Sequence, residues 1–267
     1  MRITYIGQAG FLIEACGKRL VTDPYLSYFV DKYSSVTAYK WERAYPPPIS
    51  IESLGTLDCV FLSHIHDDHT DPETVNSIAR VHFSGAREGS HLKFVISKPH
   101  ERFLSSLGVP DGAVMGVYTD IKYSINGICT IPVAAAHEEK KKIGNTYDAL
   151  GYIFDFGDTV VYHAGDTLVY EGLSDMLKKY SRDKRLILIL PVNGGDEERR
   201  SNGIIGNMDI YDAISLVKES GADIFIPMHH DLYPFNGISV EKIKMATEKE
   251  EIEKKTVILS PGEALCV

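Results

Sequence analysis

One stretch limits what this chain can fold into more than any other: Phe61 to Val75, which reads FLSHIHDDHTDPETV. Three histidines and two aspartates fall within six residues, directly after an apolar run. Solubility does not require such a group. A packed core rejects it, because each unpaired buried charge costs several kcal/mol. The preceding run DCVFLS reads as a buried strand. Asp71-Pro72-Glu73 reads as a capped helix start with proline at the first helical position, so a helix is expected from about Pro72 to Arg80. The cluster therefore sits in a strand-to-helix turn. In an extended segment, residues two apart point to the same side, so His64 and His66 converge on one point. Asp68 and His69 follow where the chain turns and build a second point nearby. Imidazole nitrogens with carboxylate oxygens suit zinc, manganese or iron.

A metal needs more donors than one turn supplies. His137 ends IPVAAAH, Asp166 ends VVYHAGD and His229 ends DIFIPMH. Each follows an apolar strand at the same end as the cluster does, so all are expected to gather at one edge of a sheet. Alternation along its strand points His163 away from Asp166 and assigns it a structural place. His230 lies beside His229 and Asp231 at a strand end and is a candidate substrate contact. Asp23, in LVTDPYL, is either an Asp-Pro turn or a carboxylate that orients a histidine ligand. His82, His91 and His100 lack ligand spacing and read as surface or packing residues.

The rest of the chain supplies the scaffold. RITYIG, GFLIEA and KRLVTD read as a meander of strands. An aromatic, irregular region runs from Tyr25 to Pro48 and holds the only tryptophan, Trp41. Its part from Tyr25 to Tyr45 reads as a cover over the site or as a subunit contact. KFVIS is a further strand, and His100 to Leu107 a helix ended by Gly108. Strands return with IKYSI, ICTIPVAAA, ALGYIFDF and TVVYHAG. In the last third, helices near Leu173–Tyr180, Asp209–Glu219 and Val240–Glu250 precede the strands LILIL, DIFIP and TVILS. Antiparallel strands followed by helix–strand alternation, twice over, predict an α/β (α+β) fold: two sheets face to face with helices outside, in one domain spanning 1–267.

Composition excludes some functions. The net charge is −9, and no basic face is visible, which argues against a nucleic-acid partner. No apolar run reaches 18 residues and no secretory signal is visible, so no membrane span and a cytoplasmic location are expected. Cys16, Cys59, Cys129 and Cys266 form no C-x-x-C pair and read as reduced thiols.

In chain order, His64-x-His66-x-Asp68-His69, His137, Gly165-Asp166 and His229 resemble the metallo-β-lactamase superfamily. SHIHDDHTD, YHAGDT and the segment from Asn202 to Tyr233, with its IPMHHD run, are most similar to the L-ascorbate-6-phosphate lactonase (UlaG-like) branch. The resemblance implies a four-layer αββα sandwich with the metal site along one edge. It implies His64, His66 and His137 on one cation, Asp68, His69 and His229 on a second, and Asp166 bridging them. One or two divalent ions are expected, manganese or zinc. Iron is less favoured, since oxygen-reducing di-iron relatives commonly carry a carboxylate at position 66.

The expected activity is hydrolysis of a sugar lactone, such as the phosphorylated L-ascorbate 6-phosphate, by a metal-bound hydroxide. The metal brings the water pKa from about 15.7 toward about 7. Asp68 is the candidate catalytic residue that orients the nucleophile or carries its proton. A small anionic substrate needs cations in so acidic a protein. Arg199, Arg200 and Lys140 to Lys142 are candidates, each group also readable as a solvated loop, and His230 and Asn207 complete the expected contacts. A homo-oligomer is also expected by the resemblance. The alternative activity is that of a phosphodiesterase on a small or lipid phosphodiester. A nuclease would need a basic groove and an inserted domain. A sensing module without turnover is opposed by the full ligand set.

Overall fold

The computed structural model describes residues 1–33, 39–83, 91–137 and 139–267. The first half opens with β1 (Arg2–Gly7), β2 (Gly10–Ala15) and β3 (Lys18–Thr22), followed by the short α1 (Phe29–Tyr33) and β4 (Cys59–Phe61). Next come α2 (Pro72–Phe83), β5 (Lys93–Ser97), α3 (Glu101–Ser106) and β6 (Val114–Val117). The second half holds β7 (Tyr123–Ile125), β8 (Ile128–Ala134), the small hairpin β9 (Lys142–Ile143) and β10 (Thr146–Tyr147), then β11 (Leu150–Asp155) and β12 (Thr159–His163). It continues with α4 (Leu173–Tyr180), β13 (Arg185–Pro191), α5 (Glu197–Ser201), α6 (Ile210–Ser220), β14 (Ile224–Met228), α7 (Val240–Lys249) and β15 (Ala264–Cys266).

Two large sheets result, ordered β15-β1-β2-β3-β4-β5-β6 and β14-β13-β12-β11-β8-β7. In each, a meander of antiparallel strands passes into parallel strands joined through helices: β3 to β6 in the first sheet, β12 to β14 in the second. This is the predicted pattern, and its cause is local. Tight turns such as Asn126-Gly127 allow antiparallel hairpins, whereas parallel neighbours need a crossover. Apolar side chains of both sheets, among them Tyr5, Phe11, Phe61, Tyr152 and Phe154, form one core, which Leu173, Leu177, Ile214 and Ile243 of α4, α6 and α7 extend on the outside of the second sheet. Val75 and Ile78 of α2 and Leu104 of α3 cover the outer face of the first against Ile6, Leu12, Val60 and Phe94. The order is helix, sheet, sheet, helix. None of the described helices is long and apolar enough to cross a membrane.

Two readings from sequence change. TVILS forms no strand; Thr256 makes a single bridge to Phe225, and the last strand is β15, on the free edge of β1. Val257, Ile258 and Leu259 all pack on the core, and three apolar residues in a row read as a strand without being paired as one. The helix that begins at Pro72 runs to Phe83, beyond Arg80. His82 in that added turn is buried, donates from Nδ1 to the Ile78 carbonyl at 3.0 Å and accepts the Leu57 amide at 3.2 Å.

Candidate metal centre

The strand directions decide where the chemistry gathers. β1, β3 and β4 run the same way in the first sheet, and β8, β12 and β14 in the second. Gln8 follows β1, Asp23 follows β3, and His64 to His69 follow β4. His137, Asp166 and His229 follow β8, β12 and β14. Each is a residue released at the carboxyl end of a strand, and the two sets of ends meet. Gly165 permits that meeting: its φ is +60°, and a Cβ there would lie 2.6 Å from the Ser63 Cβ and 2.9 Å from the Leu150 carbonyl oxygen.

The gathered donors form three overlapping groups: His64, His66 and His137; His64, His69 and Asp166; and Asp68, His69 and His229, with donor atoms within 4.8 Å of one another in each. His137 Nε2 is 3.1 Å from His66 Nδ1. Asp166 reaches His69 Nε2 with Oδ1 at 3.3 Å and His229 Nε2 with Oδ2 at 3.5 Å. Asp68 Oδ2 is 3.5 Å from His229 Nε2 and 3.8 Å from His69 Nε2. Among the described residues the buried His64 Nε2 has no hydrogen-bond partner, and the buried His69 Nε2 and Asp166 Oδ1 have only their 3.3 Å contact with each other, without hydrogen-bond geometry; all three belong to one of these groups. Leaving such groups unsatisfied costs about 1–3 kcal/mol each, a cost that a shared cation removes. The donor set therefore fits a divalent metal, with nitrogen and oxygen ligands of the type zinc and manganese accept.

Supporting residues aim the donors. Asp23, fully buried, accepts the Ser63 amide at 2.7 Å with Oδ1. Its Oδ2 takes the Ser63 hydroxyl at 2.6 Å and His69 Nδ1 at 2.8 Å. Ser63 Oγ in turn lies 2.9 Å from His64 Nδ1, so one carboxylate orients two imidazoles and leaves their Nε2 atoms facing the centre. Gln8 Nε2 donates to Asp68 Oδ2 at 2.7 Å and lies 3.0 Å from His229 Nε2, while the Gln8 carbonyl accepts the His229 amide at 2.8 Å. Gln8, Asp23 and His229 all have left-handed backbone, at φ of 57°, 37° and 58°. Strained non-glycine residues of this kind concentrate at functional sites.

Charge is divided unevenly. Burial, reinforced by His69, His66 and His137, holds the His64 imidazole well below its ordinary pKa. Burial likewise pushes His137 down to about 4. At His69 burial opposes the proton, but Asp166, Asp68 and Asp23 outweigh it and raise the imidazole well above its ordinary range. Burial also opposes charge at His229, where Asp166 and Asp68 win and raise it. Burial would raise Asp166 and Asp68, but the neighbouring imidazoles hold both carboxyls below the usual range.

The centre opens on a cavity of about 380 Å³ lined by His66, Asp67, Asp68, His137, Asp166, His229 and Asn236, and on its other side by apolar residues. The described part of the Tyr25–Tyr45 loop faces it through Val30, Tyr33 and Trp41; residues 34–38 of that loop lie outside the described residues. Trp41 stands edge-on to Tyr233 and Phe235, at 5.1 and 4.9 Å between ring centroids.

The expected substrate contacts are placed differently. Arg199 is buried and committed: Nε to Asp196 at 2.7 Å, Nη1 to the Asn193 carbonyl at 3.1 Å and to Asn236 Oδ1 at 2.9 Å. Arg200 is exposed, pairs with Glu197 at 2.9 Å, and with Asn207 lines a separate recess. Asn207 donates to Asn193 Oδ1 at 3.0 Å. His230 is buried with its ring 6.2 Å from that of Tyr5, outside the cavity lining, and neither ring nitrogen is hydrogen-bonded among the described residues. Lys140 lies over the Tyr170 ring, and Lys141 pairs with Asp148 at 3.2 Å. His163 bonds the Ala9 carbonyl at 2.8 Å, and His100 bonds Asp148 at 2.6 Å. Sequence reading missed Gln8, Ser63 and the apolar wall. Gln8 carries the same signal as the ligands, a polar residue just past a strand, but glutamine is an uncommon ligand type and drew no notice.

Known proteins agree with this geometry. The family model described as the Beta-lactamase superfamily domain matches residues 2–229. A UPF0173 metal-dependent hydrolase of Pyrococcus horikoshii is 27% identical over 271 residues, covering 99% of each chain. In structure, a possible metal-dependent hydrolase from Veillonella parvula superposes with a TM-score of 0.79 at 20% identity, over 100% of this chain and 99% of that one. An isothiocyanate hydrolase from Delia radicum gut bacteria gives 0.76 at 18% identity, over 100% and 99%. The matched family covers every strand of the two large sheets except β15 and every donor from His64 to His229, so this chain belongs to the metallo-β-lactamase superfamily.

Proposed function

We propose that the protein is a metal-dependent hydrolase that opens a lactone or a comparably activated carboxylic ester. The observation that carries the reading is the buried donor cluster of His64, His69 and Asp166 beside Asp68, from which Asp68 and Asp166 reach an open cavity. His64, His66 and His137 would hold one divalent cation, Asp68, His69 and His229 a second, with Asp166 between them. A cation bound there supplies Lewis acidity and a water whose pKa falls toward about 7.

The side chains do the rest. Asp68 lines the cavity with Oδ2 steadied by Gln8, so its carboxylate is placed to take a proton from water and return it to the leaving ring oxygen. Asp23 and Ser63 keep His69 and His64 from rotating away. The lactone element of the reading rests on the likeness of SHIHDDHTD, YHAGDT and IPMHHD to the lactonase branch, and manganese or zinc on the nitrogen and oxygen donors. The test is elemental analysis joined to a panel of lactones, esters and bis-p-nitrophenyl phosphate with metal-reconstituted protein. Lactone or ester turnover is expected to exceed phosphodiester turnover. The reverse order would replace this reading with a phosphodiesterase.

A further inference from the structure

We propose that the cavity selects an uncharged substrate with an apolar substituent, and so prefers neutral alkyl lactones or esters to phosphorylated ones; this deepens the hydrolase reading above and rests on it. Val30, Tyr33, Trp41, Ile65, Ile204 and Ile205 form the apolar part of the cavity lining. Among the described residues lining the cavity there is no lysine or arginine, while Asp67, Asp68 and Asp166 all line it. Two of these carboxylates belong to the donor groups, and Asp67 adds a further acidic group at the edge. Lys141 lines an adjoining recess of about 190 Å³ that shares Ile65, His66, His137 and Ile205 with the cavity, but there Glu139 and Asp148 line the same space and Asp148 pairs with Lys141 at 3.2 Å. Arg199 spends its guanidinium on Asp196, Asn193 and Asn236. Outside the described residues, residues 34–38 and 138 carry no basic side chain, and Arg87 is the single basic residue of 84–90. Beyond the metal donors a phosphate would meet Asp67 and aliphatic carbon with no lysine or arginine among the described lining residues, whereas a short alkyl chain would cover apolar surface that now faces water.

The tryptophan makes the inference testable with or without turnover. Trp41 is the only one in the chain and lies in the wall, so quenching of its fluorescence reports occupancy of this cavity. Metal-loaded full-length protein would be given γ-lactones bearing methyl to hexyl chains, and a sugar lactone with and without phosphate. The matching γ-lactams, which resist hydrolysis, would be titrated against Trp41 fluorescence. Expected are a rise in kcat/KM and in lactam affinity of up to about fourfold per methylene until the cavity is filled. The phosphorylated sugar lactone should run at least about tenfold below its unphosphorylated form. Ile65 is partly exposed, so Ile65→Lys keeps the fold. It should move the ratio of phosphorylated to neutral turnover up by about tenfold at unchanged metal content. Faster turnover of the phosphorylated lactone by the native protein, or flat chain-length series in both measurements, overturns the inference and leaves the hydrolase reading standing. Graded lactam binding without turnover of any ester or lactone supports the cavity's preference and removes the hydrolase reading.

Discussion

The two halves of the metal centre are built differently. His64, His66 and His137 form an outer group in which, among the described residues, Ser63 braces His64 from outside the group while His66 and His137 contact each other at 3.1 Å. His66 is exposed, and the three rings lie 4.6–4.9 Å apart. In the inner group every member is tied to a neighbour: His69 by Asp23, Asp68 by the Gln8 side-chain amide, and His229 through its backbone amide on the Gln8 carbonyl. Burial disfavours the proton on the outer imidazoles His64 and His137, whereas carboxylates favour it on His69 and His229. The outer group is therefore ready for a cation but loosely positioned. The inner one is rigid, and its imidazoles hold a proton more tightly against the cation. Preorganisation and readiness are separate properties, and here they fall to different donors.

The largest expected effect tests whether the halves are joined. Asp166 contacts His69 and His229 and groups with His64, so Asp166→Ala should lose both cations and bring hydrolysis to background. His66→Ala should remove the outer cation and activity, yet leave one equivalent bound. Elemental analysis after desalting distinguishes them, and one retained equivalent in Asp166→Ala would show that the halves are independent.

A smaller effect should separate the braces. Asp23→Asn is expected to weaken inner-site metal affinity by about 10–100-fold. Ser63→Ala, which leaves the Asp23–His69 bond in place, should cost less and act through His64 at the outer site. Metal titrations that show equal losses at both sites would erase the contrast between rigid and loose halves.

Proton counting sharpens the same contrast. His69 and His229 have raised folded pKa values, so their contribution to metal-free stability is present below about pH 6.5 and fades as pH rises through those values. His64 and His137 have lowered values, so the unfolded chain binds more protons below about pH 6.5 and stability falls from there toward about pH 4, where His137 titrates. Cation binding near pH 7 should release protons from the inner group and almost none from the outer. Calorimetry in two buffers of different ionisation enthalpy measures this; equal release in both steps would refute the division. The smallest effect belongs to Gln8→Leu, which frees Asp68 while keeping the left-handed backbone strain. A loss of about threefold to tenfold in inner-site affinity, with the outer site unchanged, is expected.

Much of this was legible beforehand. Leu173–Tyr180 is a helix with the boundaries read from its pattern, and every expected strand except TVILS pairs in a sheet. Donor residues announced themselves because histidine and aspartate have little reason to end an apolar strand. Other features were hidden because their meaning is not local. Arg199 looked like a phosphate anchor in GGDEERRSNG, yet the turn that exposes Arg200 buries Arg199 against Asp196 and Asn236. Nothing near Ile204 in sequence says that it lines one cavity with Val30 and Ile65.

Strand periodicity, turn residues and the run of donors were set by the sequence alone, since each depends on neighbours within a few positions along the chain. The overlap of the three donor groups, the Asp23 and Gln8 braces, the division of protons and the uncharged wall were decided only by the tertiary structure. They depend on distances between residues tens to hundreds of positions apart, which become definite when the carboxyl ends of two sheets close on each other.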